Sequence, residues 1–356
     1  MAKRTPSEQM SADNSVQEYK TFLVRQGTNT GAFALAKSCT ILLRNIVAMH
    51  KWSTAKDLMA LIRAAGKELD DARAGESAVG NMIKRVLRLV REAYAQCVRE
   101  EKGAGVETMA SLHNMLVSRD SRADYDHPFK SLKSNVIVSI GELLEDLEMA
   151  AKDIAEQAKD HIHADEVIMT LGHSHTVEAF LKEASNSRSF HVIVAEGAPQ
   201  YQGQQMAMNL GKAGIETTLI TDSAIYAIMS RVNKVIIGTA GVMADGGLMA
   251  MSGSHALCMA AKHHSVPVLV CSAMFKLCPK YLCSYDQDAF NNLGSPASIF
   301  DHSGGDLIDK ISVVTPLYDY VPPDLVTLFI SNLGGNAPSY VYRLLSEYYH
   351  EDDYEL

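Results

Sequence analysis

The sequence lacks three features that would identify common classes of protein. Its formal net charge is −9, so it has none of the basic excess typical of nucleic-acid-binding domains. Its six cysteines form no Cys-x-x-Cys pair, which favours reduced, buried thiols over a redox motif. No uninterrupted apolar run reaches the roughly 18 residues of a membrane span, and the first residues lack the apolar core of a signal peptide. We therefore expect a cytosolic protein that binds neither nucleic acid directly nor a membrane.

The composition is that of a chain with a large core. Of the 356 residues, 47% are hydrophobic and 21% are charged. This length is enough for two domains of roughly 100–200 residues each. Up to residue 163 the apolar residues recur at helical spacing, as in a long helix expected from Pro128 to His161. We predict a disordered N-terminus over residues 1–14, a helical domain over 15–163 and an assembly domain over 164–356.

The assembly domain alternates short apolar runs with helical segments. Runs this apolar are typical of a parallel sheet that is buried on both faces and connected by right-handed crossovers. The predicted strands are Val167–Thr170, Phe190–Ala195, Thr217–Thr221, Lys234–Ile237 and Val266–Cys271. The sequence therefore predicts an α/β fold, with the helical domain followed by a Rossmann-like parallel-sheet domain.

The loop after the fourth predicted strand is placed for ligand binding but has few reactive groups. In an open α/β sheet, ligands lie outside the carboxyl ends of the strands, where N–H groups at helix starts hold phosphate. This loop ends at Ser252–Ser254, where an apolar helix begins, yet Asp245 is the only ionisable side chain between Thr239 and His255. We expect a former enzyme fold used for assembly and regulation, with no catalytic residues and no cofactor.

The turn from Thr170 to Thr176 also joins a strand to a helix. Its single glycine makes neither a phosphate-binding P-loop nor a dinucleotide fingerprint, and a bound anion stays an open alternative. His173 and His175 are potential metal ligands, but with no third ligand recognised beside them we predict polar turn residues and no metal. After the third strand, Asp222 is interpreted as a helix N-cap.

Four cations recur along one helix of the helical domain. They are Lys84, Arg85, Arg88 and Arg91, and they lie opposite the apolar stripe of that helix. One interpretation is a solvated face, and the other is a docking patch for an acidic or phosphorylated partner, because arginine pairs bidentately with phosphate. In an acidic chain, this clustering favours docking. A second contact surface is indicated by the aromatic segment Val321–Arg343.

Several segments together resemble the beta-type regulatory subunits of eukaryotic translation initiation factor 2B, the guanine nucleotide exchange factor for initiation factor two. The segments that carry the resemblance are Ser77–Leu87, Glu166–Gly172, Thr176–Ala184, Phe190–Glu196, Met229–Gly238, Ala261–Ser265 and Phe329–Tyr340. The family is similar in fold to methylthioribose-1-phosphate isomerase and ribose-1,5-bisphosphate isomerase.

This likeness implies that the isomerase groups have been lost. Gly172 aligns with a catalytic Cys, Ala240 with an Asp, and Ala198 with an Arg that holds phosphate. Ala250 and Met251 align with an Asn-Lys pair. Their joint loss removes acid–base catalysis and charge stabilisation. Two alternatives remain. One is a sugar-phosphate isomerase, which a turnover assay on ribose phosphates distinguishes from a non-catalytic subunit. The other is a metabolite-binding subunit, and Ala198 and Met251 count against a phosphorylated ligand for it.

The resemblance further implies a non-catalytic subunit of a decamer built from two copies each of five subunits. It would pair with the delta subunit through the Rossmann-like domain, and an alpha dimer would join two such pairs. The gamma and epsilon subunits would attach outside, with epsilon carrying the exchange activity. The helical domain would receive the alpha subunit of initiation factor two and sense its phosphorylation.

A small-molecule pocket at the symmetry interface with the delta subunit is also implied. The positions in this chain that match it are His163, Asp165, Val167, His191, Ile193, Thr218 and Ile220. Asp165 stands where the family usually has Asn, and Ile220 stands where it usually has Met.

Overall fold

The computed structural model describes residues 16–23, 31–72, 77–101, 125–281, 292–300 and 310–355, with 71 and 72 as backbone only. The predicted disordered segment 1–14 lies outside these residues. The chain forms two compact units, Met1–Asp146 together with Tyr348–Leu356, and Leu147–Glu347. The boundary predicted at residue 163 lies just before the first strand. That boundary stays a prediction. The two compact units divide within a helix, between Asp146 and Leu147, and the last residues of the chain belong to the helical unit.

The helical unit is built around one long amphipathic helix. Residues 16–23 are helical, and the helices that follow are α1 (Ala32–Met49), α2 (Ala55–Ala72), α3 (Ser77–Glu101) and the first part of α4 (Leu132–Glu156). The apolar residues of α3 recur every three or four positions, so they line one face and are buried against α1 and α2. The helical spacing predicted for this region is confirmed.

Among the described residues, α1 is the one helix whose length and composition would fit a membrane span. It carries Lys37, Arg44 and Asn45, and residues such as Leu35, Leu43 and Val47 are buried within the unit. This burial is typical of the core helix of a folded domain.

The long helix expected from Pro128 to His161 is interrupted near its end. α4 stops at Glu156, and a short helix α5 (Ala158–His161) follows Gln157. The first strand begins six residues after His161, at Val167.

The second unit contains a seven-stranded sheet in the order β10-β9-β7-β4-β1-β2-β3. All neighbours pair in parallel except β10 and β9. The strands are β1 (Val167–Leu171), β2 (His191–Ala195), β3 (Glu216–Ile220), β4 (Lys234–Gly238), β7 (Val268–Cys271), β9 (Leu328–Ser331) and β10 (Gly334–Asn336). The predicted α/β fold with a mostly parallel sheet is confirmed.

Helices and a small second sheet complete this unit. The helices are α6 (His175–Ser185), α7 (Gln202–Lys212), α8 (Ile225–Ile228), α9 (Ser254–His263) and α10 (Val341–Tyr348). An antiparallel sheet in the order β5-β6-β8 consists of β5 (Gly241–Val242), β6 (Leu248–Met251) and β8 (Tyr318–Val321). The strand order of the large sheet reverses between β4 and β1, and ligands of open α/β sheets bind at such a switch point.

Candidate functional site

The switch point is formed by the turns that follow β1 and β4. Gly172 ends the first strand with a left-handed backbone, φ +61°, a conformation that glycine adopts without strain. Gly238 ends the fourth strand so close to Ser174 that a Cβ there would collide with the Ser174 hydroxyl. The two turns therefore pack directly on one another at the edge where a ligand would enter.

Met251 fills the space beside the β1 turn. A Cβ built on Gly172 would collide with Met251 Sδ, and one built on Gly197 would lie 3.5 Å from both Met251 Sδ and Cε. The structure thus brings together Gly172 and Met251, which the isomerase likeness names as lost catalytic and phosphate-binding positions. An apolar thioether occupies the place where a reactive side chain would have to project from Gly172.

Asp222 satisfies the backbone of the loop after β2. Its carboxylate accepts from the N–H groups of Gly197 at 2.9 Å and of Ala198 at 2.7 Å. The interpretation of Asp222 as a helix N-cap is wrong, because its oxygens reach across to this loop and Thr221 holds the cap position of the following 3-10 turn. Donors that could hold an anion at Ala198 are therefore already bound to a carboxylate of the same chain.

A second internal carboxylate caps the helix that begins after the β4 loop. Asp319 Oδ2, on β8, accepts from the backbone N–H of Gly253 at 2.7 Å and of His255 at 3.2 Å. A helix N-terminus favours negative charge, and Asp319 supplies it at α9. An incoming phosphate would have to displace this carboxylate, so the phosphate site indicated by the sequence is occupied from within.

The loop around Ala240 is held as a closed hairpin. The N–H of Ala240 donates to Met249 O at 2.9 Å, and the buried Thr239 hydroxyl donates to the same carbonyl at 2.8 Å. Asp245 accepts from the N–H of Gly247 at 2.8 Å and from the Tyr320 hydroxyl. Asp245, the one ionisable side chain that the sequence offers in this loop, therefore stabilises a turn.

Glu178 lies beside the two histidines of the β1 turn and is hydrogen-bonded to His173. Glu178 Oε2 lies 2.7 Å from His173 Nε2 and accepts from Asn209 Nδ2 at 3.0 Å, while Oε1 accepts from Lys182 at 2.5 Å. Although burial opposes ionisation, the hydrogen bonds from Lys182, Asn209 and His173 lower the pKa of Glu178 to about 2. The premise that no third ligand lies beside His173 and His175 is therefore wrong.

Lys84 and Arg91 do not lie on a solvated face. Their exposed fractions are 3% and 7%. Both contact the C-terminal segment, by which we mean the residues from Tyr348 onward. Lys84 Nζ donates to Tyr354 O at 2.8 Å, and Arg91 donates to both oxygens of Asp353 at 3.0 and 3.2 Å. These contacts have no signal in the sequence, because no local pattern links residues so distant in the chain.

Arg85 and Arg88 keep partial exposure. The Arg85 guanidinium lies 4.5 Å from the centroid of the Tyr348 ring and donates to Tyr348 O at 3.1 Å. Arg88 donates to Glu92 at 2.8 Å, one turn further along α3, and its side chain is 29% exposed. The four cations therefore lie in different environments, because Lys84 and Arg91 are buried whereas Arg85 and Arg88 are partly exposed. Docking of a partner by Arg85 and Arg88 stays a proposal.

The positions of the implied small-molecule pocket lie at the β3 edge of the large sheet. Val167 pairs with His191, and Ile193 pairs with Thr218, so these side chains share one face. Ile220, two residues beyond Thr218 on β3, points to the same side. This face also carries a hydrogen bond between His191 Nε2 and Thr218 Oγ1 at 2.8 Å.

Two further positions of that group precede the strands. His163 Nδ1 lies 2.9 Å from Arg188 Nη1, and Asp165 has a left-handed backbone, φ 60°. β3 is an edge strand whose residues are all exposed or half-exposed. The seven positions thus lie on, or just before, β1, β2 and the edge strand β3.

The chain is similar to proteins of one known family, in sequence and in structure. The model of the initiation factor 2 subunit family matches residues 28–338. Translation initiation factor eIF2B subunit beta of Dictyostelium discoideum is 43% identical, over 93% of this chain and 94% of that protein. The crystal structure of the tetrameric eIF2B-beta2-delta2 complex from C. thermophilum matches with a TM-score of 0.71 and 26% identity, over 96% of this chain and 97% of that chain.

An enzyme shares the fold at lower identity. The 5-methylthioribose 1-phosphate isomerase from Pyrococcus horikoshii OT3 matches with a TM-score of 0.59 and 17% identity, over 94% of this chain and 87% of that chain. The family resemblance drawn from the seven sequence segments is confirmed. The chain belongs to the initiation factor 2 subunit family.

Proposed function

We propose that this chain is a non-catalytic regulatory subunit of the guanine nucleotide exchange factor for eukaryotic initiation factor two, in the position of the beta subunit. The observation that supports the lack of catalytic activity is that side chains of the protein itself occupy the switch point. Met251 fills the space beside Gly172, and the carboxylates of Asp222 and Asp319 bind the backbone donors that an anionic substrate would need. Close similarity to eIF2B subunit beta supports the role in translation initiation.

Assembly with a delta subunit is the first part of this function. The related beta chain forms a beta2-delta2 complex, and β3 of this chain is an edge strand with exposed backbone and side chains. Edge strands left uncovered invite pairing with another chain. We place the delta contact on the β1-β2-β3 face, where the seven positions from His163 to Ile220 would also form the small-molecule pocket.

The outer assembly completes the proposal. An alpha dimer joins two beta–delta pairs in the cytosol, and the gamma and epsilon subunits attach outside, with epsilon carrying the exchange activity. The helical unit receives the alpha subunit of initiation factor two. Arg85 and Arg88 are the docking candidates, because Lys84 and Arg91 are buried against the C-terminal segment.

Native mass spectrometry of the chain with and without a delta subunit tests the assembly. We expect a defined complex with two copies of each subunit, and we expect Thr218→Arg to prevent it because the charged side chain would enter the paired face. Val138→Arg is the matched control, since Val138 is 59% exposed and lies on α4 of the helical unit, outside both sheets. A chain that stays monomeric beside the delta subunit would contradict the proposal.

The isomerase alternative is tested separately. Purified protein is incubated with methylthioribose-1-phosphate and ribose-1,5-bisphosphate, and product formation is followed. We expect no turnover, because Gly172, Ala198, Ala240 and Met251 stand where the isomerases carry their proton carriers and phosphate-binding cations. Turnover by the wild-type chain would overturn the non-catalytic assignment, whatever the outcome with the delta subunit.

A further inference from the structure

Three metal-ligating side chains converge at the start of α6. His175 is the first residue of this helix, and Glu178 follows three residues later, so their side chains share a face. His173 reaches the same place from the turn after β1. One ligand atom from each of the three lies within 4.8 Å of the others. Two imidazoles and a carboxylate are the donor set of many zinc sites.

The distances fit an ion after a small movement. His173 Nε2 and Glu178 Oε2 are 2.7 Å apart, and the rings of His173 and His175 are 4.6 Å apart between centroids and nearly perpendicular, at 81°. Donors around a tetrahedral zinc ion, with bonds of about 2.0–2.1 Å, are separated by about 3.4 Å. His175 is exposed, so its ring has the room to close on an ion that separates His173 from Glu178.

We propose that His173, His175 and Glu178 bind a divalent transition-metal ion, with Zn²⁺ as the best match and water in the fourth position. Imidazole nitrogen suits ions of borderline softness, and a site of oxygen ligands alone would be needed to favour Mg²⁺ or Ca²⁺. The ion takes the place of the hydrogen that His173 and Glu178 now share.

Two neighbouring side chains already donate hydrogen bonds to the Glu178 carboxylate, as residues around a metal ligand commonly do. Asn209 Nδ2, on α7, donates to Glu178 Oε2 at 3.0 Å, and Lys182 donates to Oε1. Partners of this kind orient a metal ligand and raise its affinity. The bound ion would link the β1 turn to α6 and, through Asn209, to α7. The Lys182 cation opposes a second positive charge nearby, so the site is weaker than a closed four-ligand zinc site.

The opposing interpretation is a polar turn that Glu178 holds together without an ion. Cobalt distinguishes the two, because the visible ligand-field bands of tetrahedral Co²⁺ are far more intense than those of the octahedral aqua ion. The full chain is freed of any affinity tag, stripped with a chelator, dialysed and titrated with Co²⁺, and Zn²⁺ is then added. We expect one Co²⁺ per chain with a tetrahedral spectrum, which Zn²⁺ abolishes.

Two variants locate the ion. His175→Ala removes an exposed ligand and should weaken Co²⁺ binding by at least about 100-fold, beyond the 10–100-fold typical of outer-shell partners. Glu178→Gln keeps the shape of the side chain and should weaken binding similarly. His127→Ala, at another exposed histidine, is the control and should bind like wild type.

Either of two results would overturn the proposal. The metal site does not exist if the wild-type chain shows no tetrahedral cobalt spectrum, or if His175→Ala binds Co²⁺ as tightly as His127→Ala does. Melting temperatures of the stripped proteins establish that each variant is folded. Because His175 is exposed, its replacement leaves the test valid even if Glu178→Gln fails to fold.

Discussion

Replacing Asp353 with alanine should destabilise the helical unit far more than replacing its neighbour Asp352. Asp353 is fully buried. One oxygen accepts from Arg63 at 2.5 Å, and the two oxygens accept from Arg91 at 3.0 and 3.2 Å. Arg91 is itself only 7% exposed, so its charge depends on this carboxylate for compensation.

The expected cost follows from that burial. Removing one partner of a buried ion pair leaves an uncompensated charge and costs about 3–5 kcal/mol. Asp352→Ala is the matched control, because the Asp352 side chain is 68% exposed and lies 3.6 Å from the same Arg91. An exposed pair of this kind contributes about 0–1 kcal/mol. The two neighbouring substitutions should therefore differ by at least about 2 kcal/mol.

Urea unfolding followed by tryptophan fluorescence measures the difference. The sequence contains one tryptophan, Trp52, whose half-buried indole donates to Val47 O at 3.2 Å within the helical unit. Its emission therefore reports on this unit alone. If Asp353→Ala and Asp352→Ala unfold within about 1 kcal/mol of one another, Asp353 does not compensate Arg91 as the structure indicates.

Three further predictions concern the rest of the chain. Gly172→Cys should lower the free energy of unfolding by at least about 1–2 kcal/mol, because a side chain at this position is strained by the left-handed backbone. The new side chain would also force Met251 aside, and it should restore no isomerase turnover. Gly211→Ala, beside which a Cβ meets nothing, should be tolerated in the same thermal melt. The Glu178 carboxylate should stabilise the fold above its ordinary pKa of 4.5 and lose that effect as pH falls towards its folded pKa of about 2. The stability gap to Glu178→Gln should shrink on acidification, and a constant gap would contradict the assignment. Arg88→Ala should weaken binding of the alpha subunit of initiation factor two, more so at low salt, and Arg343→Ala, which breaks an equivalent i,i+4 pair, should not.

Local sequence patterns predicted the helices and strands well, because the spacing of apolar residues depends on which face of each element is buried. The apolar spacing of α3 and the short apolar runs of β1, β2 and β4 each express which faces are buried. The same spacing misjudged Lys84 and Arg91, because helical periodicity cannot show a chain segment that returns more than 250 residues later. A buried cation of that kind is found only once the C-terminal residues are placed.

The candidate site was predictable in part. The likeness to isomerases named Gly172 and Met251, but their contact depends on how β6 lies beside β1. Asp319 carried no signal, because its pairing with α9 follows from the β6–β8 register. Glu178 did carry one, since a position three residues after His175 on a helix shares its face.

The measurement that bears most directly on the central claim is GDP release from initiation factor two. The other four subunits of the proposed exchange factor are assembled with and without this chain, and release is followed with the alpha subunit of initiation factor two unphosphorylated and phosphorylated. We predict that the chain alone releases no GDP, and that its presence in the assembly makes release sensitive to phosphorylation. Exchange by the isolated chain, or an assembly that contains it and is indifferent to phosphorylation, would contradict the account.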